Sequence, residues 1–432
     1  MISRILRLAA VASAAVLSSA LAGSAPPAAL LIDHVTLVDG TGAPPRPGVS
    51  LLVRDGRIVS VTDAPAVLSG DGVRVIDGRG LFAIPGLIDA HVHLTGGPRA
   101  GQIASLRTAL EGGVTTVWDL AGDARTLGEL SREQIAGEIA SPSIFYAALM
   151  SGPAFFTDPR VVEASVGYRP GDAPWARAVT PGLDLAQAVA EARGTGANAL
   201  KLYAALDADQ VRRITAEAHR QSLRVVAHGT VFPAKPGDLV AAGVDMLAHA
   251  AYLAWEGSAP SLEFQKRAQG DFAGVTPDSP VIERLLQGMR ERRVALNPTL
   301  WVFADRPDSD PAAPARIRWG AEVTRRAFAD GVAIVAGTDG MTTRGAALPT
   351  IHRELELLVT SAGLPPLAAL SAATRNAAET MGLGDDRGTL APGRRADIVL
   401  LGANPADDIR NTQRIEYVIE GGRVVRGPAG GR

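Results

Sequence analysis

Apolar and polar positions change rhythm twice along this chain. From Leu30 to Val38 and from Val49 to Val61 they alternate, the period-2 signature of half-buried strands, with turns at Asp39-Gly40 and Asp55-Gly56. Val73 to Ile76 continues this strand-rich opening. The rhythm returns at Ala396 to Leu401, Arg414 to Glu420 and Arg423 to Val425, with Gly421-Gly422 turning between the last two. Neither end can bury a core alone. Together they predict one small sheet domain built from both termini.

Between them, short apolar runs alternate with Ala-rich helical segments. Strands are predicted at Leu81 to His91, Thr115 to Leu120, Ser143 to Leu149 and Ala197 to Tyr203. Four more follow at Leu223 to His228, Met246 to Ala250, Val294 to Pro298 and Val332 to Thr338. Helices are predicted at Ala100 to Glu111, Asp184 to Arg193, Ala208 to Gln221, Val281 to Arg292, Ala315 to Asp330 and His352 to Ser361. This alternation predicts an α/β fold, a parallel (β/α)8 TIM barrel. A doubly wound sheet would carry a phosphate fingerprint after its first strand, and no GxGxxG is there. The boundaries are 23–80 for the first part of the small sheet domain, 81–385 for the barrel and 386–432 for its second part.

In such a barrel the C-terminal strand ends form the active face. Read in order, they carry His91 and His93, Asp119, Lys201 with Tyr203, His228, His249, Asn297 and Asp339. Side chains alternate along a strand, so His91 and His93 point the same way, about 7 Å apart. Two neutral imidazoles at that spacing can converge on one divalent ion. Each histidine alone reads as an ordinary structural residue, but four of the chain's seven sit at these strand ends. Among the others, His34 reads as a strand residue and His219 as surface. His352 opens the segment after the eighth strand and is a candidate substrate-side residue.

Asp339 reads either as a loop or N-cap aspartate or as a metal ligand that also accepts a proton during hydrolysis. Lys201 reads either as a snorkelling surface side chain or as a buried amine of lowered pKa. Such an amine can add carbon dioxide, giving a carbamate able to bridge two metals; spacing leaves both readings open. Tyr203, two residues on, shares the inward direction and is a candidate contact for substrate or oxyanion.

Composition narrows the partners. The chain has 432 residues, of which 47% are apolar and 4% aromatic, so its core is built of small aliphatic side chains. Lys plus Arg number 43 against 45 Asp plus Glu, a balance that favours a small-molecule substrate over nucleic acid or an anionic membrane. A homo-oligomer is left open. There is no cysteine, which excludes disulfides, thiolate catalysis and thiolate ligands. Arg4 and Arg7 precede the apolar run Leu8 to Leu21, and Ala20-Leu21-Ala22 has the small-x-small form of a cleavage site. Residues 1–22 therefore predict a removed signal peptide, export to the periplasm or medium, and no stable membrane anchor.

The ordered set Pro85-Gly86-Leu87-Ile88-Asp89-Ala90-His91-Val92-His93, Lys201, His228, His249 and Ala336-Gly337-Thr338-Asp339 resembles the amidohydrolase superfamily of metal-dependent hydrolases. Ala373-Thr374-Arg375-Asn376-Ala377-Ala378 and the stretch Gly388 to Asp397 look like the same family, so the resemblance runs from about Leu30 to Val425. It implies a barrel with a small β-sandwich and a centre of two divalent ions, zinc by expectation. His91, His93 and Asp339 would hold one ion, His228 and His249 the other, and N6-carboxylated Lys201 would bridge them. The style is closest to the imidazolonepropionase-like and Xaa-Pro or Xaa-Arg dipeptidase branch. Trp118 stands where that branch often has Arg.

The expected activity is hydrolysis of an amide or dipeptide-like C–N bond by a hydroxide shared between the ions, with Asp339 as proton acceptor. Lactone or phosphotriester hydrolysis would use the same set, and a barrel without activity could serve as a binding protein. Deamination is disfavoured, because His228 is followed by Gly229-Thr230-Val231 rather than His-x-x-Glu. The segment Ser151 to Thr180, with Phe155, Phe156 and Trp175, reads as a lid or pocket wall, and Ala304 to Arg318 as a second.

Overall fold

The computed structural model describes residues 29–63, 72–259, 264–304, 313–342 and 346–428. The expected signal peptide and part of the Ala304 to Arg318 segment lie outside these residues. No helix among the described residues is long and apolar enough to cross a membrane.

Both termini build one eight-stranded sheet, as the alternating ends predict. Its order runs Arg423–Arg426, Ile415–Glu420, Ile398–Leu401, Phe82–Pro85, Ala29–Leu37, Arg46–Arg54 and Arg57–Thr62, with Val73–Asp77 also paired to Ala29–Leu37. Ala29–Leu37 pairs in parallel with Val73–Asp77 along its first half and with Phe82–Pro85 at its end, so the sheet forks there. Strand alternation gives Ile398–Leu401 two jobs. Ile398 and Leu400 join the small domain's core with Ile32, Val49 and Leu51, while Val399 and Leu401 pack into the main core under the barrel helices. This sheet is therefore fused to the barrel through both faces of one apolar strand.

The segment predicted as one strand, Leu81 to His91, is two. Phe82–Pro85 runs antiparallel to Ile398–Leu401 in the small sheet, and Leu87–Val92 is the first barrel strand. Gly86 lies between them, where a Cβ would come within 2.1 Å of Thr115 Oγ1. Only glycine lets the chain pass so close and change sheets.

The remaining barrel strands are Val114–Asp119, Ser143–Ser151, Ala199–Leu202, Arg224–His228, Met246–Ala248 and Ala295–Asn297, each parallel to the one before. The eighth is reduced to a single bridge between Leu296 and Ile334, yet the Ala90 N–H donates to Ala336 O at 3.1 Å and closes the circle. Ile88, Ala90, Trp118, Ala147, Ala199, Val226, Met246, Ala295 and Val335 fill the interior, and Ala377 and Ala378 of helix Arg375–Thr380 complete it from the N-terminal side. The outward residues Val225 and Ala227 face the helices instead. Those helices carry ordinary stop and start signals. Asp207 and Gln210 form a capping box ahead of Ala208–Arg220, and Asp123 caps Ala124–Ala136, a helix missing from the sequence expectation.

Candidate metal centre

Alternation aims the strand-end residues. Val226 is interior, so His228 two residues later enters the barrel mouth; Ala199 is interior, so Lys201 and then Tyr203 follow it. The first strand needs a correction of phase. Ile88 and Ala90 are interior, and strict alternation would turn His91 outward. The pairing with the second strand shifts register between Asp89 and Val92, Val92 joins the outer core, and His91 with His93 faces Asp339.

The structure brings His91, His93, Lys201, His228, His249 and Asp339 to one end of the barrel. Nε2 of His91 and of His93 lie 3.5 and 3.1 Å from Asp339 Oδ1. Ligand atoms of His91, His249 and Asp339 all fall within 4.8 Å of one another. The His228 and His249 rings are 4.6 Å apart between centroids, and His249 is 5.1 Å from His91. His249 and Asp339 both have left-handed backbones, with φ of 71° and 56°. Such conformations cost on the order of 1 kcal/mol or more for ordinary residues and persist where the surroundings impose them.

The outer nitrogens are engaged. Asn297 Nδ2 donates to Val335 O at 2.9 Å, which turns its Oδ1 to accept from His91 Nδ1 at 2.8 Å. Thr299 Oγ1 holds His249 Nδ1 at 2.8 Å. Both rings thus present Nε2 to the centre, the arrangement that orients a histidine ligand. His91 Nε2, His228 Nδ1 and Lys201 Nζ are buried without a hydrogen-bond partner in the protein. Buried polar atoms are rarely left so, and three at the same end of the barrel, beside the close group of His91, His249 and Asp339, call for an ion. The set of imidazole and carboxylate donors fits divalent metal ions.

Charge states agree. Burial, helped by the Lys201 charge, holds His91 and His228 well below the usual imidazole range, and burial brings His249 to about 3. All three are neutral at pH 7, the form in which an imidazole can bind a metal. Burial alone would raise Asp339, but His91, His93 and His249 hold its carboxyl well below the usual range. Burial also brings fully enclosed Lys201 to about 7, so much of it is a free amine near neutrality.

Tyr203 lines the same cavity, with its ring centroid 4.0 Å from that of His228. His352 is not brought to the group. Its Nδ1 and Nε2 are taken by Thr412 Oγ1 at 3.0 Å and Gly112 O at 2.8 Å, and it has no part in the cavity wall. Its position after the eighth strand was a poor guide, because the helix Ile351–Thr360 directs the ring into the protein rather than the mouth. His219 is on the surface, paired with Asp245 at 2.9 Å.

The cavity measures about 660 Å³ and opens over the group. Part of the Ser151 to Thr180 segment forms one wall through Phe155, Arg160 and Val161, while Trp175 is buried behind it. Tyr252, Arg267, Phe303 and Arg316, from the segments after the sixth and seventh strands, form another. Arg316 falls in the segment expected to form a second wall, while sequence reasoning missed Tyr252, Arg267 and Phe303, whose spacing follows no strand or helix period.

Residues 82–425 match the model of the Amidohydrolase family. The chain is 27% identical over 396 residues to an imidazolonepropionase of Deinococcus deserti, covering 84% of this chain and 88% of that protein. It is 42% identical over 106 residues to an N-acyl-D-aspartate deacylase of Alcaligenes xylosoxydans xylosoxydans, a match spanning 24% of this chain but 20% of that protein's length. Among solved structures, a Xaa-Pro dipeptidase with bound methionine in its active site superposes with a TM-score of 0.73 at 20% identity, covering 92% of this chain and 100% of that one. An ochratoxinase of A. niger superposes at 0.72 and 22%, covering 94% and 97%.

Proposed function

The chain belongs to the amidohydrolase family, and from that premise we propose that it hydrolyses the C–N bond of a small amide, of the dipeptide or N-acyl amino-acid kind. One observation carries this reading. His228 Nδ1 is buried and unpartnered in the wall of a cavity that also holds His93, His249 and Asp339, and His91 Nε2 and Lys201 Nζ are likewise buried and unpartnered at this end of the barrel. His91, His93 and Asp339 would hold one divalent ion, and His228 and His249 a second, with zinc as the expected metal. When bound, such ions polarise a carbonyl and make water acidic enough to react near neutral pH.

The chain's own residues do the rest. Lys201, neutral in part near pH 7, would attack carbon dioxide through Nζ; an N–C bond forms, a C–O π pair moves to oxygen, and one proton leaves to solvent. The resulting carbamate would supply the anionic oxygens that an ammonium group cannot. Asp339, ionised and close to both His91 and His93, would accept the proton of the attacking water at its free oxygen and deliver it to the departing nitrogen. Tyr203 would position the substrate carbonyl from the wall. Asn297 and Thr299 keep the histidine tautomers correct.

Support for dipeptide-like substrates comes from the deacylase and dipeptidase relatives and from the apolar, cationic wall. Export is part of the proposal, supported by Arg4 and Arg7 ahead of the apolar run. The test is metal analysis joined to a library of dipeptides, N-acyl amino acids, lactones and phosphotriesters. The expected outcome is close to two equivalents of divalent metal and turnover of amides. Full activity in protein stripped of metal would sink the mechanism, and turnover confined to lactones or phosphotriesters would sink the substrate class.

A further inference from the structure

We propose that Arg267 selects substrates bearing a free carboxylate, holding the carboxylate of the amino-acid half of the amide while that half's apolar side chain lies on Phe155. This deepens, and rests on, the hydrolytic reading above.

Three arginines line the cavity, Arg160, Arg267 and Arg316. Arg160 is committed to Asp158 at 2.8 Å. Arg316 is buried, donates to Ala268 O at 3.2 Å and lies 5.7 Å from the Phe303 ring. Arg267 differs from both. Its Nη1 donates to Phe264 O at 3.2 Å, its Nε is buried without a partner, and no carboxylate of the described residues forms an ion pair with it. The carboxylates of the cavity wall are engaged or distant in role: Asp123 pairs with Arg125, Asp339 belongs to the metal group, and Glu163 is exposed. A partly buried guanidinium without a counter-charge is costly, and a planar fork facing a cavity is suited to a bidentate carboxylate.

Its placement relative to the reacting centre is also defined. The Arg267 guanidinium sits 4.3 Å from the centre of the Phe264 ring, and that ring is 5.3 Å from His228. One aromatic ring therefore separates the cation from a metal-facing histidine, a span suited to an amino acid whose amide nitrogen is two bonds from its carboxylate carbon. Phe155 stacks on Tyr203 at 4.5 Å and meets the buried Phe264 edge-on at 5.5 Å, so aromatic packing connects the centre to the cation, with Phe155 and Tyr203 facing the cavity. Arg267 also neighbours Tyr252, whose hydroxyl it reaches.

The experiment compares N-acetylphenylalanine with N-acetylphenethylamine, which lacks only the carboxylate, in both enantiomers of the acid. In wild-type enzyme loaded with zinc, kcat/KM should favour the acid by about 10- to 100-fold, the worth of a charge-assisted pair. In Arg267→Met this ratio should collapse toward one, and Arg267→Lys should fall between. Equal turnover of acid and neutral analogue by the wild type would overturn the proposal, whether or not a variant folds. Calorimetry on metal-free protein gives an independent arm. N-acetylphenylalanine should bind and Arg267→Met should lose it, even if no amide is ever cleaved, which would sink the hydrolytic reading alone. Inorganic phosphate binding as tightly as the acid would also overturn carboxylate selection.

Discussion

Asp89 and Thr338 are joined twice: the threonine hydroxyl donates to Asp89 Oδ2 at 2.7 Å, and its backbone N–H donates to Oδ1 at 3.0 Å. Both residues are fully buried. The first barrel strand, with His91, is thereby pinned to the segment that delivers Asp339. This matters because the eighth strand has only one bridge of its own. Gly337 assists, since a Cβ there would meet His91 Cβ at 2.8 Å. Thr338→Val should cost about 1–3 kcal/mol by leaving a buried acceptor short of a donor. It should also lower metal retention, read by denaturant melts and by metal content after dialysis. Unchanged metal retention would show that the clamp supports the fold alone.

Asn297 should matter to the metal without touching it. Asn297→Leu removes the acceptor that orients His91 Nδ1 and should weaken metal binding by about 10- to 100-fold. Competition with a fluorescent chelator measures this directly, and a wild-type affinity would refute the orienting role.

Lys201 buries an amine with no partner, a cost to the metal-free fold. Lys201→Met keeps the volume and removes that cost. The metal-free variant should melt at or above the wild-type temperature while losing bound metal and turnover. A variant that keeps both metal and activity would exclude a carbamate at this position.

Glu354 supplies a pH dependence away from the metal group. Its carboxyl accepts from the Leu300 and Trp301 N–H groups at 3.0 and 2.7 Å, and burial raises it from 4.5 to about 8. Between those values the folded chain holds a proton that the unfolded chain has released. Stability from this group is therefore present below about pH 4.5 and declines as pH rises toward about 8. Glu354→Gln should flatten that part of the profile. Melting temperatures of both proteins from pH 5 to 8.5 provide the check; curves that stay parallel would contradict it.

The terminal strands, the alternation of strand and helix, and the ordered row of His91, His93, Lys201, His228, His249 and Asp339 were legible in the chain itself. The strands and their alternation follow from local periodicity, a parallel barrel places every strand's C-terminal end on one face, and the family resemblance picks those six from the residues there. Long-range contacts decided the rest. The exchange of sheets at Gly86, the register shift that turns His91 inward and the burial of His352 against Gly112 and Thr412 depend on neighbours distant in sequence. So does the cavity wall, where Phe264, packed behind Arg267, meets Phe155 from another loop. Periodicity tells which way a side chain leaves its strand. Which partner it meets there, and whether a charge is left without one, is set only when loops far apart in the chain pack together.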